Sequence, residues 1–135
     1  MLRARATYVA LGLATVAIGL LVHLRGSVFD TATRDVLGDA LWAAMIAWGM
    51  GALAPTARLA VRSGAAYAVC VAVEMSQLYH TPALDAIRAT RAGHLVLGSG
   101  FDPRDLAAYA LGVASAAVLE AVVVARRRRS LAVVT

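Results

Sequence analysis

The 135-residue chain has little charge, few aromatic residues and a single cysteine. Only 16% of its residues are charged and 61% are hydrophobic, whereas an ordinary soluble domain has about a quarter charged residues. This shortage of charge excludes an ordinary soluble domain and indicates one small membrane domain. With Cys70 as the one cysteine, an internal disulfide is excluded, and its apolar surroundings favour a packing role.

Common enzyme motifs are also missing from the chain. His80 and His94 lack the i, i+4 spacing of a helical metal site, so a metal site that they form with Glu74 is the less favoured interpretation. We expect no metal and no cofactor. Ser76 and Ser99 do not lie in the G-x-S-x-G pattern of an activated serine, and the glycines around Ser99 indicate a turn.

The positive charge of the chain points to lipid rather than to nucleic acid. The formal net charge is +5 and the isoelectric point is near 10.3. Arg126 to Arg129 directly follow an apolar segment, where basic residues hold a cytoplasmic helix end and attract anionic headgroups. Because no interleaved aromatics or known nucleic-acid module accompany them, we expect membrane lipids as partners and no nucleic acid.

Four apolar segments approach the length of about 20 residues that a membrane-spanning helix needs. The first could be a signal peptide, but its apolar run is too long and no A-x-A cleavage site follows it. The chain is therefore predicted to be an all-α, polytopic membrane protein. Its four transmembrane helices are expected at about residues 6–24, 35–53, 59–78 and 106–125, with an extracytoplasmic loop 79–104 that contains a short re-entrant or interfacial segment.

The arginines predict the orientation, because cytoplasmic loops carry the excess of positive charge. Eight arginines fall on the side of the two termini and five on the other side. Both termini are therefore expected in the cytoplasm, with the protein in the inner (cytoplasmic) membrane. All acids except Glu120 then lie near the outer surface, where we expect a polar site.

Residues 74–105 hold four of the eight acids, three of the thirteen arginines and two of the three histidines, between the uncharged segments 63–73 and 106–119. Glu74 begins inside the apolar pattern, where a carboxylate costs roughly 2.5–3.5 kcal/mol on insertion scales. Such a residue is a site candidate by default. The candidate ligand-binding residues at the outer surface are Asp35, Asp39, Glu74, Gln77, His80, Asp85, Arg88, Arg91, His94, Asp102, Asp105 and Tyr109.

Spacing along the helices refines this picture. Asp35 and Asp39 share one helix face, and Asp35 is interpreted as a first-turn charge that complements the helix dipole. His23, at the end of the first helix, is interpreted as interfacial rather than as a ligand. Small residues recur every four positions in the last three helices, which predicts close helix packing; they are Ala43, Ala47 and Gly51, then Gly64, Ala68 and Ala72, then Ala108, Gly112 and Ala116.

Three kinds of function remain open for these residues. The first is binding of a polar or anionic headgroup of a lipid or cell-envelope amphiphile, with Arg88 and Arg91 as anion contacts. The second is a membrane enzyme that uses Glu74 or His80 as acid or base. The third is a structural subunit, in an oligomer or with a partner membrane protein, whose ion pairs only hold the loop. Glu74 is expected either to pair with an arginine or to be protonated and hydrogen-bonded.

Three stretches carry a resemblance: Glu74-x-Ser76-Gln77-Leu78-Tyr79, Leu84-Asp85-Ala86-Ile87-Arg88-Ala89-Thr90 and Gly98-x-Gly100-Phe101-Asp102. Over roughly residues 25–120 the chain resembles a family of small four-helix bacterial membrane proteins of unknown function. More distantly it resembles VanZ-like proteins, which are associated with teicoplanin resistance. Their Asp-x-x-Gly-Asn, Glu-x-x-Gln and Asp-x-x-x-Asn-x-x-Gly patterns match here at Asp35, Gly38, Glu74, Gln77, Asp105 and Gly112, with Asp39 and Tyr109 in place of the two asparagines.

Overall fold

A computed structural model describes residues 2–25, 28–98 and 100–132, and every element in these ranges is a helix. The elements in chain order are α1 (Leu2–Leu24), α2 (Thr31–Leu53), α3 (Leu59–Ser76), α4 (Pro82–Arg88), α5 (Arg91–Leu97) and α6 (Pro103–Ala132). Four helices are long and apolar enough to cross a membrane: α1, α2, α3 and the Pro103–Val123 part of α6. The prediction of an all-α protein with four spanning helices is confirmed.

The apolar residues of these helices mostly face outward. Only 6% of the most apolar window of α1 is buried inside the protein, and the share rises to no more than 28% in α6. Leu13, Val61 and Leu111 each expose more than half of their surface. A water-soluble bundle would bury such side chains, so lipid is the solvent that this surface fits.

Helices α2, α3 and α6 pack around one core, and α1 lies against α2. The buried core consists mostly of small and medium side chains around one aromatic ring. Its members are Ala43 from α2, Ala66 and Cys70 from α3, and Tyr109 and Val113 from α6. Gly112 allows the closest approach, because a Cβ atom there would overlap the carbonyl oxygen of Ala40. Backbone contact of this kind is how helices gain van der Waals energy in a membrane.

The expectation that small residues mediate packing within the chain is wrong for α3. Gly64, Ala68 and Ala72 are exposed, whereas Ala66 and Cys70 are fully buried. One helix can turn only one face toward the core. In α3 this is the face of Ala66 and Cys70, which lie two residues after Gly64 and Ala68 of the small-residue repeat.

Caps explain why the helices begin and end where they do. Asp30 accepts hydrogen bonds from Thr33 N at 2.9 Å and from Thr33 Oγ1 at 2.7 Å, and these bonds lower the pKa of the Asp30 carboxyl. α2 therefore begins at Thr31 rather than at residue 35, and it ends before Pro55. The interpretation of Asp35 as a first-turn charge is wrong, because Asp35 lies beyond the first turn of α2.

Two capped short helices form the segment between α3 and α6. Thr81 and Thr90 each accept a hydrogen bond from the third residue after them, which fixes the starts of α4 and α5. α5 ends at Leu97, and the next residue, Gly98, caps it with a φ of +67° that glycine adopts easily. α3 ends at Ser76 and α6 begins at Pro103. Residues 79–104, predicted as a loop with a short re-entrant or interfacial segment, therefore contain both short helices and the first two residues of α6.

The contact of Gly112 with Ala40 gives a stability prediction. Gly112→Ala should destabilise the protein by about 1–3 kcal/mol, because the added methyl group must push α2 and α6 apart. Gly64→Ala is the matched control, since no atom lies within 4 Å of a Cβ built there. Thermal unfolding in detergent compares the two variants with the parent. Equal midpoints for both variants would contradict the close packing of α2 against α6.

Candidate functional site

Glu74 lies in the last turn of α3 and is completely buried, with 0% of its surface exposed. Its carboxyl accepts three hydrogen bonds, from Tyr109 Oη at 2.9 Å, from Gln77 Nε2 at 3.1 Å and from Asp102 N at 2.7 Å. Tyr109 belongs to α6, and Asp102 immediately precedes that helix. One buried carboxyl therefore joins the end of α3 to the beginning of α6.

Among the residues that the structure describes, the hydrogen-bond partners of Glu74 include no arginine, so the structure has the hydrogen-bonded rather than the arginine-paired arrangement. Arg88 instead donates to the carbonyl oxygens of Ser76 at 2.6 Å and Tyr79 at 2.9 Å, and its Nη1 lies 3.4 Å from Asp85 Oδ1. Ser76 is the last residue of α3, whose final carbonyls have no partner within the helix. The guanidinium of Arg88 thus holds α4 against the end of α3.

Two further carboxyl groups, one on α2 and one on α6, lie near Glu74. The carboxyl groups of Asp39 on α2 and Asp105 on α6 lie close enough to interact electrostatically. We call the carboxyl groups at this position the carboxylate cluster; its members are Asp35, Asp39, Glu74, Asp102 and Asp105. The three ion pairs found among the described residues, Arg62–Glu120, His80–Asp85 and Arg88–Asp85, include none of these acids.

The basic residues at the same end of the bundle surround a separate space. An open groove of about 830 Å³, which we call the basic groove, is lined by His23, His80, Asp85, Arg88, Ala89, Thr90, Arg91 and His94. The Nδ1 atom of His80 lies 3.0 Å from Asp85 Oδ1, and both side chains are well exposed, at 62% and 46%. Arg88 is only 5% exposed.

The twelve predicted site residues therefore form two groups. Seven belong to or contact the carboxylate cluster: Asp35, Asp39, Glu74, Gln77, Asp102, Asp105 and Tyr109. Five line the basic groove: His80, Asp85, Arg88, Arg91 and His94. His23 also lines this groove, although the sequence suggested only an interfacial role. No signal in one sequence shows that the end of α1 lies opposite α4 and α5.

A polar contact at the other end of the bundle was not predicted. Arg62 Nη2 donates to Glu120 Oε1 at 2.6 Å, and the hydroxyl of Tyr8 donates to the same oxygen at 2.8 Å. The guanidinium of Arg62 also lies over the Tyr8 ring, 5.2 Å from its centre. This contact ties α1, α3 and α6 together. Its signal in the sequence is the position of Glu120, the one acid far from the others.

The hydrogen bonds of Glu74 predict how its variants behave. Glu74→Leu should cost several kcal/mol, since the buried donors of Gln77 and Tyr109, left without an acceptor, each cost about 1–3 kcal/mol. Glu74→Gln should cost less, because an amide retains one acceptor oxygen and the Gln77 amide can rotate to face the new NH₂ group. Thermal unfolding of both variants in detergent measures the difference. A Leu variant as stable as the parent would rule out a structural role for these bonds.

Comparison with known proteins places the chain in a family. No solved structure matches the chain. Residues 28–113 match the family described as "Protein of unknown function (DUF2809)", and this range includes all of the predicted site residues. The match agrees with the expected resemblance to a family of unknown function, while the more distant resemblance to VanZ-like proteins and a bacterial source remain predictions. Because more than half of the chain is matched, the protein belongs to the DUF2809 family.

Proposed function

We propose that this protein binds the polar or anionic headgroup of a membrane amphiphile, such as a lipid or a cell-envelope precursor, in the basic groove. Arg88 gives the strongest support. Its side chain lines the groove and is 5% exposed, yet its Nε atom is buried without a hydrogen-bond partner among the described residues. A buried charged donor without an acceptor is costly, and an anionic oxygen is the acceptor that suits a guanidinium.

The accessible charges of the groove fit the same ligand. Arg91 is exposed, and His23, His80 and His94 add three imidazole rings to the lining. Two arginines face one carboxylate, that of Asp85, so the groove carries net positive charge even with neutral histidines. Two nitrogens of Arg88 already donate to the carbonyls of Ser76 and Tyr79, which leaves Arg91 as the exposed anion contact.

The position of the groove suits an amphiphile rather than a free anion. His23 lies in the last turn of α1, one of the membrane-spanning helices. On the same helix end, Leu20, Leu21 and Leu24 expose 50%, 56% and 78% of their surface. A headgroup in the groove can therefore keep its acyl chains against these leucines without leaving the hydrocarbon.

A second candidate function is a membrane enzyme in which His80 acts as acid or base at the same headgroup. The contact between His80 Nδ1 and Asp85 Oδ1 favours it, because a carboxylate at one ring nitrogen orients the imidazole and leaves Nε2 for a substrate. A His80→Ala variant that retains the lipid but converts none of it would support this function over binding alone.

A variant without the positive charge of Arg91 tests headgroup binding. Arg91→Gln should weaken retention of an anionic lipid by about tenfold, since a hydrogen bond to a charged group contributes about 1.5–3 kcal/mol. Arg104→Gln is the matched control, because Arg104 is exposed at the same end and does not line the groove. Native mass spectrometry of the purified protein measures the retained lipid. Equal retention in both variants counts against the groove as the site.

We further propose that the protein lies in the cytoplasmic membrane with both termini in the cytoplasm, from the excess of arginine on that side. The basic groove then opens on the outer surface. A phosphatase reporter that works only outside the cytoplasm should be inactive when fused after Thr135 and active when inserted after Arg91. Activity at Thr135 would reverse the orientation and place the groove in the cytoplasm.

A further inference from the structure

The side chains that line the basic groove restrict the kind of headgroup that it can hold, which is a narrower inference that rests on the headgroup binding proposed above. Size decides little, because about 830 Å³ is the volume of an ordinary small-molecule site. The chemistry of the lining decides more. Its ionisable members are two arginines, three histidines and one aspartate: Arg88, Arg91, His23, His80, His94 and Asp85. Among these side chains, hydrogen-bond donors outnumber acceptors.

The two side-chain acceptors of the groove other than its imidazoles already have partners within the protein. Asp85 Oδ1 contacts both His80 Nδ1 at 3.0 Å and Arg88 Nη1 at 3.4 Å. The hydroxyl of Thr90 donates to one backbone carbonyl and accepts from one backbone N–H. A zwitterionic or hydroxyl-rich headgroup needs acceptors for its own N–H or O–H groups, and few are free here. The groove therefore favours a headgroup whose polar atoms are mainly acceptor oxygens.

The donors of the groove are less completely used. Arg88 is 5% exposed, and its Nε atom is buried without a hydrogen-bond partner among the described residues. Arg91 is exposed and takes part in none of the three ion pairs found in the described part of the chain. A guanidinium that lacks an anionic partner suits phosphate, because its planar N–H groups match two phosphate oxygens at once.

His80 distinguishes a phosphomonoester from other anions. Its Nδ1 lies 3.0 Å from Asp85 Oδ1, and a carboxylate there places the ring proton on Nδ1. Nε2 is then an acceptor in the neutral ring and a donor in the imidazolium. A phosphomonoester also exchanges one proton near neutrality, since its second ionisation lies at about pH 6. One proton between Nε2 and a phosphate oxygen therefore makes a hydrogen bond whichever atom holds it, and a phosphodiester has no such proton to share.

We propose that the basic groove binds a phosphomonoester, with Arg91 on the phosphate oxygens and the ionisable oxygen paired with His80 Nε2. The charge of such a group, about −1.5 to −2 at pH 7, exceeds that of a carboxylate or a phosphodiester and matches the two arginines. A membrane amphiphile with a terminal phosphate and a small soluble phosphate present this same group. The exposed side chains of Leu20, Leu21 and Leu24 beside His23 favour the amphiphile as its source.

Phosphatidic acid and phosphatidylmethanol with identical acyl chains test the proposal, since the methyl group removes the ionisable oxygen and leaves the rest of the lipid unchanged. The purified protein in a nonionic maltoside detergent is mixed with each lipid at a series of concentrations, and native mass spectrometry measures the bound fraction. Phosphatidic acid should bind about tenfold tighter than phosphatidylmethanol, because one hydrogen bond to a charged group changes affinity by about that factor.

Variants then connect this preference to His80. His80→Phe should remove most of it, because phenylalanine keeps an aromatic ring but has no nitrogen for the phosphate proton. The side chain of His80 is 62% exposed, so this change affects no buried contact. His80→Ala is an independent second variant, and circular dichroism checks that each is folded. Arg104→Gln is the control that should keep the tenfold preference, because Arg104 is exposed at the same end and does not line the groove.

The outcomes separate the phosphomonoester from headgroup binding in general. Equal binding of the two lipids overturns the phosphomonoester, while binding of an anionic headgroup stands. A tenfold preference that persists in both His80→Phe and His80→Ala also overturns the proposal, because the charge of the lipid then acts without Nε2. Binding of neither lipid overturns both proposals. Glycerol 3-phosphate, added as a competitor, identifies the source: displacement of phosphatidic acid at equal concentration supports a soluble phosphomonoester, and no displacement supports the amphiphile.

Discussion

The buried carboxyl of Glu74 is the contact on which the arrangement of this end of the bundle depends. It satisfies a tyrosine hydroxyl, a glutamine amide and the backbone N–H of Asp102 at once. That N–H lies just before α6, so Glu74 determines where α6 begins relative to the end of α3. In a membrane, helices associate through close packing and interhelical hydrogen bonds, and a buried polar contact of this kind adds to the packing.

At the other end of the bundle, the polar contact that joins the helices is an ion pair. There Glu120 accepts from both Arg62 and Tyr8, and Arg62 is only 7% exposed. A buried ion pair adds little net stability because both charges lose their hydration, but it is expensive to break. Between the two polar contacts, the core consists of residues such as Ala43, Ala66 and Cys70. The bundle is thus defined by one polar contact at each end and small side chains in between.

The sequence predicted the spanning helices because composition alone decides whether a segment can enter the hydrocarbon. It also predicted that Glu74 is deeply buried, since position within an apolar run measures depth. It did not predict the full set of groups that donate to Glu74. One of these donors is the backbone N–H of Asp102, and a backbone N–H has no signature in the sequence. Nor did the sequence predict that Arg88 donates to the carbonyls of Ser76 and Tyr79, because backbone partners are invisible in a sequence.

The direction in which each helix face turns explains why the residues of one predicted site form two separate groups in the structure. Side-chain spacing shows which residues share a face, but not toward which neighbour that face turns, so Gly112 and Gly64 gave the same signal and only Gly112 meets another helix. The same limit hid the contribution of His23 to the basic groove.

The acids and bases at this end are separated by the elements that carry them. The carboxylate cluster lies on or directly before α2, α3 and α6, whereas the predicted basic residues of the groove lie on α4, α5 and the connections next to them. Arg88 of α4 contacts the carbonyl of Ser76, the last residue of α3, and not the carboxyl of Glu74 on the same helix. Because this carbonyl ends a helix, it carries partial negative charge and needs a donor. The end of α3 therefore occupies the guanidinium of Arg88, and the described ion pairs of this arginine include Asp85 but not Glu74.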